Sequence, residues 1–209
     1  MFLRMVLAAV LTAALPAGVL ADWVSTPHDH TVWSPNRQYC AEVKVEHGIT
    51  VHRMNGAAKG EVLWTWPWYL AMYEGVYLSD DGRTIAIGNV GLILRNYDPK
   101  SPLIVIITEA KVVRTLTLND LISDLTVLEK TVSHYHWGYC SGFDSEGRFV
   151  VMVLRKVPKP SALIANPAAK YETFLFDAET GKRVMPAGVA STDSALAPKP
   201  SGIGSTDSN

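Results

Sequence analysis

Two short stretches put imidazoles on alternate positions: His28-Asp29-His30 and His134-Tyr135-His136. In an extended chain residues i and i+2 share a face, so each pair offers two nitrogen ligands side by side. If the two pairs met, four imidazoles would suit zinc or copper. His47 and His52 flank a turn signal at His47-Gly48 and could add a ligand to either pair. The plainer reading leaves His28 and His30 in an exposed N-terminal segment, and turns His134 and His136 outward from a strand whose inward residues are Tyr135 and Trp137. An H-x-H pair is far less specific than a full zinc signature. Metal binding is therefore the alternative reading, and no cofactor the first.

The stretch EVLWTWPWYL places Trp64, Trp66 and Trp68 on alternate positions. On a strand they would form one aromatic strip, suited to stacking on sugar rings or to filling a core between sheets. Pro67 lacks an N–H and belongs at a strand edge or end, so the strand stops there and Trp68 leaves the row. Trp64 and Trp66 remain as a same-face pair. Core filler is the first reading, a polysaccharide platform the alternative.

Gly138-Tyr139-Cys140-Ser141-Gly142 has the small-residue frame of a nucleophile elbow with Cys at its centre. An elbow is a strained strand-to-helix turn, and here the next signal is a β-turn at Ser145-Glu146-Gly147, so the context is wrong. Cys40 and Cys140 are the only cysteines. An even count in a chain bound for an oxidising compartment predicts one disulfide, with two buried thiols as the alternative. The bridge would close a loop of about 100 residues, for which chain entropy allows up to ~4.7 kcal/mol. The carboxylate pairs Asp80/Asp81 and Asp144/Glu146 lie in turns, and Asp120/Asp124 on the wet face of a helix. None has the multi-oxygen loop of a calcium site, and there is no glycine-rich phosphate loop.

The elements that must carry these residues begin after a leader. MFLRMVLAAVLTAALPAGVLA has a positive charge at Arg4, an apolar run to Leu15, a Pro16/Gly18 break and small residues up to Ala21. That is the layout of a signal peptide over residues 1–21, with the mature chain starting at Asp22. The apolar run is shorter than the ~20 residues a membrane span needs, and no second such run follows. The mature chain is thus expected to be periplasmic or secreted, with no membrane span. With 19 basic and 20 acidic residues the net charge is −1. Losing Arg4 gives −2, a balance that argues against a nucleic-acid partner. Residues 22–186 read as a single domain, and residues 187–209, with almost no large apolar side chains, as a disordered tail.

Within the domain the pattern is strand, turn, strand. Gln38–Glu46, Ile49–Arg53, Glu61–Trp66, Val76–Ser79, Thr84–Gly88, Leu103–Thr108, Val112–Leu116, Tyr135–Phe143, Phe149–Arg155 and Tyr171–Asp177 read as strands. Asp80-Asp81-Gly82-Arg83 reads as a type I′ hairpin turn. The period changes once: Leu118, Leu121, Ile122, Leu125 and Leu128 fall on one helical face, predicting an amphipathic surface helix over Leu118–Glu129 opened by a Thr117/Asp120 capping box. Val157–Lys170 holds three prolines and reads as an irregular loop.

Ser34-Pro35-Asn36-Arg37, Asp80-Asp81-Gly82-Arg83 and Ser145-Glu146-Gly147-Arg148 each close a turn and launch an apolar strand. Removing a helical insertion of roughly 15–20 residues from the second interval brings both near the ~40–45-residue period of four-stranded propeller blades. The segments VWSPNRQYCAEV, VYLSDDGRTIAIGN, VVRTLTLNDLI and GFDSEGRFVVMV resemble those of uncharacterised exported bacterial proteins with propeller-type repeats, and more distantly TolB-type and WD-repeat propellers. The resemblance covers most of residues 33–184 and implies architecture rather than chemistry. There are too few units for a full propeller, and the Trp-Asp dipeptide is missing. The fold expected is all-β: antiparallel meander units, propeller-like or sandwich-like, with one surface helix.

No catalytic constellation is complete, so the function expected is an exported, non-catalytic binding or scaffold module. Its partner would be a protein or envelope component, met through the loop end that carries Pro158–Asn166.

Overall fold

A computed structural model describes residues 28–67, 74–131, 133–156 and 170–185. The expected leader over residues 1–21, the expected contact loop at Pro158–Asn166, Trp68 and the expected tail over residues 187–209 lie outside these residues. The chain is a mostly β protein built from antiparallel sheets.

The first sheet is a meander of β1 (His30–Trp33), β2 (Tyr39–Lys44), β3 (Gly48–Asn55) and β4 (Ala58–Trp66). The second holds β5 (Glu74–Leu78) and β6 (Thr84–Asn89). Short β7 (Leu92–Leu94) then leaves it, and β8 (Pro102–Thr108) and β9 (Lys111–Thr117) complete it in the order β5-β6-β8-β9. One helical turn, α1 (Leu118–Leu121), leads to β10 (Glu129–Lys130) and β11 (His134–His136), which pair beside β7 as a small third sheet. The last sheet is again a meander, of β12 (Gly138–Phe143), β13 (Arg148–Leu154), β14 (Tyr171–Asp177) and β15 (Arg183–Val184).

The second sheet is the middle layer, and its sequence explains why. β6 and β8 read TIAIGN and PLIVIIT, nearly continuous apolar runs rather than alternating ones, and they are buried almost throughout. Such strands must be covered on both faces, each buried Ile or Val contributing about 1.5–3 kcal/mol. Ile85, Ile87, Val105 and Ile107 pack against Ala41, Val43, Ile49 and Val51 of the first sheet. Their alternate neighbours Ala86, Ile104 and Ile106 join Phe149, Val151 and Phe174 of the last sheet, with Trp137 and α1 closing that core.

The repeated turn is structural. Between the first and second strands of each four-stranded sheet, an N–H donates back three residues: Arg37 to Ser34 O at 2.9 Å, Gly82 to Ser79 O at 3.2 Å, Gly147 to Asp144 O at 3.0 Å. The donor residue is left-handed each time, with φ of 57°, 69° and 75°. The Ser34 and Ser79 hydroxyls match too: each accepts from the N–H five residues on and donates to the side chain of Asn36 or Asp81. Among the described residues these sheets do not close into a propeller ring.

Four expectations need correction. Asp80–Arg83 is not a type I′ turn, because only Gly82 of the four has positive φ; the loop spans 79–83. The helix over Leu118–Glu129 is cut to α1, followed by a 3₁₀ turn at Leu125–Val127. The capping box forms as read, but Ile122 is extended, and Asp124 Oδ1 accepts from the N–H of Thr126 at 3.0 Å. Local side-chain bonding of that kind competes with continuing the helix. The single strand over Tyr135–Phe143 is two strands in different sheets, separated at Trp137, with Gly138 at φ 149°.

The fourth concerns the cysteines, which are not bonded to each other; both are buried free thiols. Ala41 and Val43 face the second sheet, so alternation turns Cys40 to the far side of the first. Cys140 packs on the opposite face of the second sheet, its sulfur against Gly88 of β6. With packed sheets ~10 Å apart and one of them in between, the Cα atoms cannot reach the ~7 Å limit of a disulfide.

Candidate functional site

Trp64 and Trp66 share the face of β4 that packs on the core between the first two sheets, and both are half-buried. Trp64 is fixed there by its Nε1, which donates to the carbonyl oxygen of Gly82 at 2.9 Å. Trp66 Nε1 is buried with no hydrogen-bond partner among the described residues. Tyr39 lies against the same glycine so closely that any Cβ at position 82 would collide with its ring. The repeated turn of the second sheet is thus clasped by two aromatic side chains of the first.

Around that clasp runs an open groove of about 640 Å³, walled by Tyr39, Leu63 and Trp64 and rimmed by Arg53, Arg83 and Glu109. Arg83 Nε donates to Glu109 Oε1 at 2.8 Å, and its Nη1 to Glu179 Oε1 at 3.0 Å. Glu109 beside it, before Glu179, holds the Arg83 guanidinium even more firmly charged than usual. Among the described residues Arg53 has a long contact to Glu61, 3.9 Å, with both side chains well exposed, a pair worth little in water. Asp81 is committed to the turn: its Oδ1 accepts from Ser79 Oγ at 2.6 Å and from Arg83 N at 3.0 Å. An aromatic wall with cationic and anionic groups at its rim suits a polar ligand with flat apolar faces.

Sequence reading reached Trp64 but missed Tyr39, Arg53, Arg83 and Glu109 as groove residues. Arg83 was visible in the repeated turn; the others come from strands and a turn distant in sequence, with no local signal to link them.

The histidines are scattered. The His28 and His30 rings stand 5.4 Å apart at the N-terminal end of β1, where His30 Nδ1 bonds the carbonyl of His28 at 2.8 Å. His134 and His136 lie on β11 in the small sheet. His134 is buried rather than turned outward, with Nδ1 2.7 Å from Ser133 Oγ. His136 Nδ1 bonds Gly91 O at 3.0 Å and its Nε2 lies 3.1 Å from Tyr171 Oη. Burial, ahead of the Gly91 bond that opposes it, lowers the His136 pKa from its ordinary value. Among the described residues no three His, Cys, Asp or Glu side chains group so as to hold a metal ion.

Cys140 does not sit on an elbow but on β12, which bulges between Cys140 and Gly142. Burial pushes its thiol up to about 12, and burial also raises Cys40. A nucleophile needs the opposite shift. Among the described residues no helix is long and apolar enough to cross a membrane. Comparison with protein-family models, curated proteins and solved structures finds no match for this chain.

Proposed function

We propose that this chain is a non-catalytic binding module of the periplasm or cell exterior, and that its groove between the first two sheets takes a sugar ring of an envelope or extracellular polysaccharide. The observation that carries this reading is the placement of Trp64: an indole pinned by Gly82, forming a groove wall with Tyr39, and ringed by Arg53, Arg83 and Glu109. Sugars present apolar faces to stack on aromatics and hydroxyls to bond charged rims. The two carboxylates of the groove favour binding over hydrolysis. Asp81 accepts hydrogen bonds within its turn and Glu109 accepts one from Arg83, so both are engaged in holding the rim. The signal-peptide layout of residues 1–21 and the propeller-type resemblance support an exported module of this kind.

The test is indole fluorescence of the mature protein titrated with a panel of neutral and acidic glycans. A saturable shift is expected, weakened about tenfold in Arg53→Ala, whose exposed side chain leaves the core untouched. Silence across the panel, or a response that Arg53→Ala and Trp64→Leu leave unaltered, rejects the groove as the binding site.

A further inference from the structure

On the face of the first sheet turned away from the second, one row crosses all four strands: Trp33, Cys40, His52 and Val62 are successive cross-strand partners. Its ends are open to solvent, Trp33 at 46% and Val62 at 51% exposure, and its centre is closed, Cys40 at 0% and His52 at 9%. Among the described residues neither ring nitrogen of His52 has a hydrogen-bond partner. Glu42 Oε2 stands 3.8 Å from His52 Nε2, too far for a hydrogen bond, and Glu42 is shared with Lys59 at 3.2 Å and Lys44 at 3.4 Å. A buried imidazole with two unsatisfied nitrogens calls for an explanation, and an ion is one of the usual ones.

The neighbour across the ladder supplies the second half of that explanation. Directly opposed residues on one sheet face have β-carbons about 4.5–5.5 Å apart, a spacing that one ion can bridge between a cysteine sulfur and an imidazole nitrogen. We propose that Cys40 and His52 form a two-coordinate site for a thiophilic monovalent cation of the copper(I) class. Coordination number selects the metal. With no group of three donors among the described residues, zinc would lack half of its four ligands. Copper(I), soft and with a filled d shell, is satisfied by two ligands in line, and a thiolate with an imidazole matches it. On binding, the Cys40 S–H bond breaks, an S–Cu bond forms, and the proton leaves to solvent; the ion enters and stays as copper(I), so no electron is transferred. Nδ1 of His52, the nitrogen not beside Glu42, would be the ligating atom. Nε2 then carries its hydrogen toward Glu42, the kind of carboxylate neighbour that orients metal-bound histidines.

The site is separate from the paired histidines and from the groove, and its test separates them. The mature protein is titrated anaerobically with copper(I) against a competing chelator, and with silver(I) as a redox-inert analogue. One equivalent is expected, bound at least tenfold more weakly in both Cys40→Ser and His52→Gln and unchanged in Cys140→Ser and in His134→Ala/His136→Ala. X-ray absorption at the copper edge of the wild-type protein should report one sulfur and one nitrogen, which keeps the assignment testable if a variant misfolds. Uptake that survives Cys40→Ser, uptake lost in Cys140→Ser instead, no uptake at all, or a shell of three or more nitrogens each overturns it.

Discussion

The sulfur of Cys140 rests on the backbone of Gly88: a Cβ at position 88 would stand 2.7 Å from it, and 3.4 Å from a side-chain carbon of Ile104. The missing side chain on β6 is what lets the last sheet close on the middle one at this point. Gly88→Ala should therefore overpack the interface and cost about 1–3 kcal/mol. Because the clash is with one sulfur, Cys140→Ala should recover a good part of that loss, so the two substitutions should be non-additive in urea-unfolding midpoints. Strict additivity would show that the two residues do not touch.

The separation of the cysteines by a whole sheet predicts their chemistry. Cys40 is fully buried and Cys140 nearly so, and burial raises both thiols. Native protein should react with a thiol reagent slowly or not at all, then give two thiols on denaturation without a reductant. Finding none in the denatured, unreduced protein would restore the disulfide.

His136 gives stability a definite pH dependence. Its Nδ1–H donates to Gly91 O, so its Nε2 accepts from the Tyr171 hydroxyl, and the ring is held neutral. Its folded pKa lies below the ordinary 6.5, chiefly through burial. Between the two values the unfolded chain binds more protons, so its contribution is complete above 6.5 and is lost as pH falls through the lowered value. Urea midpoints should decline across that interval, and less steeply in His136→Gln. Identical slopes in the two proteins would remove His136 from the account.

Period-two alternation exposed most of the strands, and the uninterrupted runs TIAIGN and PLIVIIT marked a layer covered on both faces. What stayed hidden was short or long-range. β7, β10 and β15 have three, two and two residues, too few for any periodicity, and exist because a neighbour offers its edge. The split between His136 and Gly138 depends on Trp137, whose Nε1 donates to Asn89 Oδ1 at 3.1 Å and whose N–H donates to Gly91 O at 3.1 Å. Those partners sit at the end of β6 and in the connection to β7, and nothing beside Trp137 in sequence points to them. The groove was half legible for the same reason: Trp64 announces itself, whereas Arg53 and Glu109 join it through the stacking of two sheets. The disulfide expectation failed because compartment and count carry no information about which face of which sheet each cysteine occupies.

The turn that does have type I′ geometry joins β8 to β9 at Glu109 and Ala110, with φ of 48° and 61°. Both central residues of such a turn need positive φ, which Asn and Gly adopt readily and Ala does not. A left-handed conformation costs an ordinary residue about 1–2 kcal/mol. A new glycine gives back part of this through the greater freedom of the unfolded chain, about 0.4–1 kcal/mol. Ala110→Gly should therefore stabilise the protein by roughly 0.5–1 kcal/mol, while Ala110→Val, branched at Cβ, should destabilise it by a comparable amount or more. Glu109 is left in place, so the Arg83 pair at the groove rim is untouched and ligand binding serves as the control. Thermal unfolding of the three proteins side by side gives the order Gly above Ala above Val, and the reverse order would mean that this turn is not left-handed.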